Sequence, residues 1–157
     1  MGFSDDIKKF TVKCSSNSDA VVRKTVLEIT SMIDEMSPVG NPEGGGVGGV
    51  PPWKSKPPVG YVGGHFRANW QLGVNVQPTG EIPGHEYKGV LEKEQAKIPA
   101  KAGGHVYYYQ NNVPYAQVLE DGRTDSSGSF QAPHGMVGIT TLHFGGIVEK
   151  AAAEVNK

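Results

Sequence analysis

Five histidines, at positions 65, 85, 105, 134 and 143, are the residues best suited to move a proton near neutral pH or to hold a transition metal. Their spacing supports neither role. A zinc site wants ligands at short intervals such as i and i+4, completed by a carboxylate or thiolate, whereas these histidines stand singly. His85 and Glu86 are neighbours, and an extended backbone points neighbours to opposite sides. All five therefore read as loop or solvated side chains. Cys14 is the lone cysteine, which excludes an intrachain disulfide and a multi-thiolate metal site. With no assignable base beside it, Cys14 reads as a small buried or idle residue. No serine stands in a strand–turn–helix elbow of the kind that activates a nucleophile. Gly44, Gly46 and Gly49 spell the letters of a dinucleotide fingerprint, but Pro38–Glu43 makes no strand before them and Pro51-Pro52 forbids the helix that must follow. The same loop lacks the Gly-Lys-Ser/Thr ending of a phosphate-binding loop.

Tyr107, Tyr108, Tyr109 and Tyr115 have faces on which nucleobases could stack. That chemistry wants a basic groove. The nearest cations, Lys97, Lys101 and Arg123, are few and mixed with acids, and the chain carries a net charge of −1. The stretch Tyr107–Gly122 reads better as a packing and contact element: an aromatic strand, an Asn111-Asn112 turn, and a helical turn opened by Pro114. Strand tyrosines commonly fill a core on one side and a protein interface on the other. Two charged residues stand beside large apolar ones, Arg67 near Trp70 and Glu120 after Leu119. Each makes either a surface ion pair worth little or a pair across a subunit boundary, where a bidentate bond fixes register.

These residues need elements to hold them. Ser18 can cap a helix, with Asp19 in its first turn. Val22, Val26, Ile29, Ile33 and Met36 then recur at spacings of four, three, four and three, one apolar face of a helix over 18–36. Ser37-Pro38 ends it, because the residue before proline disfavours helical angles. From Pro38 to Gly64, fifteen of 27 residues are Gly or Pro, so this is a long loop, with Trp53 and Tyr61 as its large side chains. Such a loop is tolerated, because closure entropy grows only logarithmically with length.

Trp70, Leu72, Val74 and Val76 alternate with polar or small residues within His65–Gln77, a half-buried strand. Residues 87–98 suggest a short helix, Val106–Gln110 a second strand, and Pro114–Glu120 one or two helical turns. Gly122–Ser129 is polar loop. A last helix opens at Pro133, with Met136, Thr140, Phe144, Ile147, Ala151 and Val155 on one face; Gly145-Gly146 inside it marks a close contact or a bend. A third strand has room at 81–88 or 128–131. The whole reads as one α+β domain over 1–157, with a small antiparallel or mixed sheet packed against a long N-terminal and a C-terminal helix. The first residues show no basic start followed by an apolar run, and no segment reaches the roughly 18 apolar residues of a membrane span.

Three segments give the chain a resemblance to the tail-completion, or head-to-tail joining, proteins of long-tailed bacteriophages, including the minor tail protein Z group of lambda-like phages. Ser37-Pro38-Val39 after the long helix looks like the family's Thr/Ser-Pro-Val turn. Gly64-His65-Phe66-Arg67-Ala68-Asn69-Trp70 looks like its Thr-Gly-x-Leu-Arg-x-Ser-Trp strand entry. Asn111-Asn112-Val113-Pro114-Tyr115-Ala116-Gln117-Val118-Leu119-Glu120-Asp121-Gly122, with Gln131-Ala132-Pro133-His134-Gly135-Met136-Val137, looks like its Asn-Asn-x-Pro-Tyr-Ala-x-x-Leu-Glu-Tyr-Gly and Ala-Pro-x-Gly-Met signature. Two features depart from the pattern: Gly40–Gly63 is inserted where the family runs straight on, and Asp121 replaces a common aromatic.

The resemblance implies a virion protein of the neck, made in the host cytoplasm during assembly. It implies a ring of six copies that joins the head connector or adaptor to the tail terminator or tail tube. DNA would pass through the ring as cargo, with no catalysis, no cofactor and no membrane. Phe66, Arg67, Trp70, Asn112, Pro114, Tyr115, Leu119, Glu120 and Trp53 are then the expected subunit or partner contacts. A tail terminator or head-closure adaptor is the alternative in the same class. A small nucleic-acid-binding protein or enzyme outside any virion is the alternative in another.

Overall fold

The computed structural model describes residues 3–40, 60, 62–121 and 132–156. Trp53 and Tyr61, most of the Gly/Pro-rich loop, the 122–131 segment and the possible strand at 128–131 lie outside the described residues.

The first helix, α1 (Phe3–Met36), is 34 residues long. It begins fifteen residues ahead of the 18–36 span read from the sequence. No Gly or Pro interrupts the chain from Phe3 to Met36, and Asp5 and Asp6 in the first turn complement the helix dipole. Ser18, a cap in the sequence reading, lies inside the helix, where its hydroxyl donates to the Cys14 carbonyl at 3.0 Å. Asp19 accepts the Gly103 N–H at 2.7 Å, fixing a distant loop rather than its own helix. Cys14 lies within α1 and is exposed, not buried.

After α1 come α2 (His65–Ala68), β1 (Trp70–Val74), α3 (Val90–Gln95), β2 (Tyr107–Asn111), α4 (Ala116–Glu120) and α5 (Met136–Val155). This is an α+β architecture, with two long helices and a small antiparallel sheet. The strands pair from Trp70 opposite Asn111 to Val74 opposite Tyr107. β1 stops short of Val76. Asn75 takes a left-handed φ of 62°, its N–H donates to the Val106 carbonyl at 2.7 Å and its side-chain oxygen accepts the Val106 N–H at 3.0 Å. The chain turns back so closely that a Cβ on Gly73 would fall on the Val76 carbonyl and the Pro78 ring. Among the described residues, 81–88 forms no third strand and the sheet has two.

A two-stranded sheet needs a covering helix for stability, and α1 supplies it. Val26, Leu72, Ile98 and Ala102 form one core cluster, with Val22, Tyr107 and Tyr109 against it. Ile33, Phe66, Trp70, Val113, Ala132 and Met136 form the other, with Ile29, Met36 and Leu119 packed around it. All five residues of the α1 face read from the sequence are thus in the core. α5 runs antiparallel to α1: Lys24 pairs with Glu154 at 2.7 Å, Lys150 with Glu28 at 3.0 Å, and Asn17 with Asn156 at 3.2 Å. These exposed contacts mark register more than they stabilise. Met136, Thr140, Ile147 and Ala151 of α5 are buried, but Phe144 is 51% exposed. No described helix is long and apolar enough to cross a membrane.

Helix α5 continues through Gly145 and Gly146, and a Cβ on either would meet nothing within 4 Å. Among the described residues, then, the close contact read from the sequence is not made. Gly145→Ala is expected to raise stability by roughly 0.5–1 kcal/mol, since alanine loses less backbone entropy in a helix. A higher urea midpoint at unchanged slope is the measurement that checks it.

Candidate assembly site

The residues singled out in the sequence gather where the end of α1, the α2–β1 entry, the β2–α4 turn and the start of α5 meet. Their roles there divide sharply into inward and outward.

Trp70 is 4% exposed. Its indole N–H donates to the Ser37 hydroxyl at 2.7 Å, and that hydroxyl in turn donates to the Ile33 carbonyl at 2.8 Å. Its ring stacks on Tyr109 at 5.0 Å between centroids and meets Phe66 edge-on at 5.8 Å. Phe66 is also buried. Neither ring is available to a partner, which corrects their reading as interface residues. Alternation along the strand puts Trp70 on the core face, and the short α2 turns Phe66 in beside it. Tyr109 buries its hydroxyl without a hydrogen-bond partner among the described residues. That burial pushes its pKa up, with the charge of Asp34 adding to the effect.

Arg67 projects from α2 onto α1. Its Nε and Nη2 both donate to Asp34 Oδ2, at 3.0 and 2.5 Å, and its guanidinium lies 5.6 Å from the Tyr87 ring centre. The Asp34 side chain is 8% exposed and that of Arg67 25%. The expected pairing across a subunit boundary is thus replaced by a pair inside the chain. The two partners stand 33 positions apart in sequence, so no local pattern announces them.

Glu120, at the end of α4, turns toward the start of α5. Its carboxylate accepts the N–H groups of Met136 at 2.9 Å, Val137 at 3.1 Å and Gly138 at 2.8 Å. The first turn of a helix has unpaired N–H groups and the positive end of the dipole, so a carboxylate there serves as a remote cap. Gly135 fits this joint because its φ is +82° and a Cβ would strike the Glu120 carboxyl. Here too an intrachain partner occupies the residue expected to reach across subunits. Glu120→Ala is expected to cost about 2 kcal/mol, at the upper end of cap losses, with Glu120→Gln recovering only part. Urea unfolding of the three proteins checks it.

The Asn111-Asn112 turn is also tied inward. Asn111 donates to the Phe66 carbonyl at 2.7 Å, and Asn112 donates to the Gly80 carbonyl at 2.9 Å and accepts from Gln110 at 2.6 Å. Leu119 packs on the core. What faces outward is Pro114, Tyr115 (41% exposed) and Val118, with Val137 and Phe144 exposed on α5. Of the expected contact residues that are described, Pro114 and Tyr115 are therefore the exposed ones. Val118, Val137 and Phe144 were not among the expected contacts. The exposed side of α4 recurs over too few residues to register as a face.

The loop between β1 and α3 is held by His65. One ring nitrogen lies 2.5 Å from the Gly84 carbonyl and the other 2.5 Å from Glu81 Oε1, with the His85 ring 5.3 Å away. Acceptors at both nitrogens favour the imidazolium, so the pKa rises above the ordinary 6.5, first through the Gly84 carbonyl and then through Glu81. A raised folded-state pKa stabilises the fold fully below 6.5 and loses that contribution as pH climbs through the higher value. Exchange of the Ile82 amide, which donates to Asn69 Oδ1 at 2.6 Å, is therefore expected to quicken above that pKa beyond the ordinary base-catalysed rise. Loss of that excess in His65→Gln ties it to this ring.

Among the described residues no three His, Cys, Asp or Glu side chains converge as metal ligands. His105 lies by the Asn75 amide nitrogen at 2.8 Å. Comparison with family models, with curated proteins and with solved structures gives no match to this chain.

Proposed function

We propose that this chain is a structural ring component of a phage neck, joining the head connector to the tail and continuing the DNA channel. The observation that carries the reading is how the segments of the resemblance meet. Gly40–Gly63 separates the Ser37-Pro38-Val39 turn from the Gly64 strand entry, yet the Gly64 N–H donates to the Val39 carbonyl at 2.6 Å. The insertion thus closes at its base, and the turn runs into the strand entry as in the family's uninterrupted pattern. The Ser37 hydroxyl then receives Trp70, Asn111 holds the Phe66 carbonyl, and Glu120 caps the helix opened by the Ala132-Pro133 segment. Residues that carry the signature are the ones that tie four elements into a joint. A joint of this kind gives rigidity, and it leaves Tyr115, Val118 and Phe144 outside for neighbours.

The experiment is to image purified virions labelled with an antibody raised against the chain. Label is expected at the head–tail junction. Absence of the chain from purified particles overturns the reading. Label kept at the upper end of tails made without heads moves the assignment to a tail terminator.

A further inference from the structure

Between β1 and α3 the chain runs through 77–84 without helix or strand. Its alternate carbonyls are nevertheless held, by side chains instead of a neighbouring strand. Pro78 accepts from Gln110 at 2.6 Å, Gly80 from Gln71 and from Asn112 at 2.9 Å, Ile82 from Asn69 at 3.0 Å, and Gly84 from His65 at 2.5 Å. Asn69 grips twice, because its side-chain oxygen also accepts the Ile82 N–H at 2.6 Å, and this residue is 0% exposed.

The first three carbonyls are held by neutral amides, which do not titrate. The fourth is held by an imidazole. The two ring nitrogens of His65 face two acceptors, the Gly84 carbonyl and the Glu81 carboxylate. Only the imidazolium has two N–H groups to give. A neutral ring that keeps its bond to Gly84 turns a lone pair toward Glu81. Other charged and titratable groups around the ring are placed differently. Arg67 is turned onto Asp34 with Tyr87 beside it, and Glu86 accepts the Lys88 N–H at 3.0 Å. The His85 ring, 5.3 Å from that of His65, adds a like charge when protonated.

The holds therefore divide the segment. Pro78 and Gly80 are fixed to the strands and the 112 turn whatever the pH, while Glu81 and Gly84 depend on a proton. Gly80 stands at the division with a φ of +81°, and a Cβ on it would meet nothing within 4 Å. Glycine in open space absorbs the backbone rotation that a hinge needs. The far end rests on Gly64, where a Cβ would strike the His85 carbonyl and the Tyr87 ring.

We propose that residues 81–85 form a flap hinged at Gly80, latched by protonated His65 and loosened when that ring is neutral, so that acidity sets how often Asn69 and the Gly64 corner are uncovered. The test is nuclear magnetic resonance on the isotope-labelled full chain, titrated from acid to mildly alkaline pH. The Asn69 side-chain amide signal is expected to move with the His65 titration. Exchange of the Ile82 amide, corrected for base catalysis, is expected to quicken across it by about tenfold for each pH unit by which the latched ring's pKa exceeds 6.5. The Gln110 and Asn112 side-chain amides, on the fixed side of the hinge, are expected to hold their positions. Glu81→Gln, at a side chain 41% exposed, is expected to move the midpoint to lower pH, and His85→Gln to leave the response in place. Three results overturn the proposal: the Ile82 excess surviving in His65→Gln, an unmoved midpoint in Glu81→Gln, or Gln110 and Asn112 signals shifting together with that of Asn69. Every readout is taken on the isolated chain, so the inference stands or falls apart from the neck assignment.

Discussion

Replacing Trp70 by alanine is expected to lower the unfolding free energy by about 3–5 kcal/mol, the range for a large aromatic removed from a packed core. The ring is 4% exposed and touches both Phe66 and Tyr109, so its removal leaves a cavity at the centre of the larger core cluster. The loss is a large fraction of the roughly 5–15 kcal/mol that holds a domain of this kind together. Trp70→Phe separates the two parts of the effect. It keeps the stack but leaves the Ser37 hydroxyl without the indole N–H, and about 1–2 kcal/mol is expected for that lost hydrogen bond and reduced volume. Urea unfolding followed by circular dichroism measures both. Unchanged unfolding with lost oligomerisation would return Trp70 to the role of a subunit contact.

The parts of this fold that were legible in the sequence are those where one local period decides burial. The 4-3-4-3 spacing from Val22 to Met36 lies in the two core clusters, and the alternation from Trp70 to Val74 puts Trp70 and Leu72 inside. The start of α1 was not legible. Serine, threonine and asparagine between Thr11 and Ser18 favour caps and turns, and burial of an apolar face does not select a helix there, because residues 4–16 are all exposed. A signal was present in the three- and four-residue spacing of Ile7, Phe10 and Cys14, on a different side from the Val22 series.

The site was half legible for a related reason. Its residues were identifiable, yet their partners were not, because Glu120 meets α5 sixteen to eighteen positions later and Ser37 meets Trp70 33 positions away. A charged residue beside a large apolar one looks the same in sequence whether it reaches a neighbour or a distant part of its own chain. Only the packing of α4 on α5 and of α2 on α1 distinguishes them.

Arg67→Met is expected to cost about 3 kcal/mol, the lower end of the range for breaking a buried ion pair from one side. The cost comes less from the lost bond than from Asp34, whose 8% exposed carboxylate is left without its guanidinium. The lower end applies because Arg67 itself is 25% exposed, so water screens part of the pair. The same logic sets the outcome of a cycle. Asp34→Asn alone is expected to cost less than Arg67→Met, because it leaves only a partly wet guanidinium, which also keeps its place over Tyr87. Asp34→Asn with Arg67→Met should cost less than the sum of the singles, with a coupling of about 1–3 kcal/mol, as for residues in direct contact. Urea titrations of the four proteins give the coupling. Additive costs would mean that the pair holds nothing. A stable Arg67→Met protein that no longer oligomerises would place the arginine across a subunit boundary after all. The cycle therefore separates a residue that shapes its own chain from one that joins copies, which is the distinction the sequence left open.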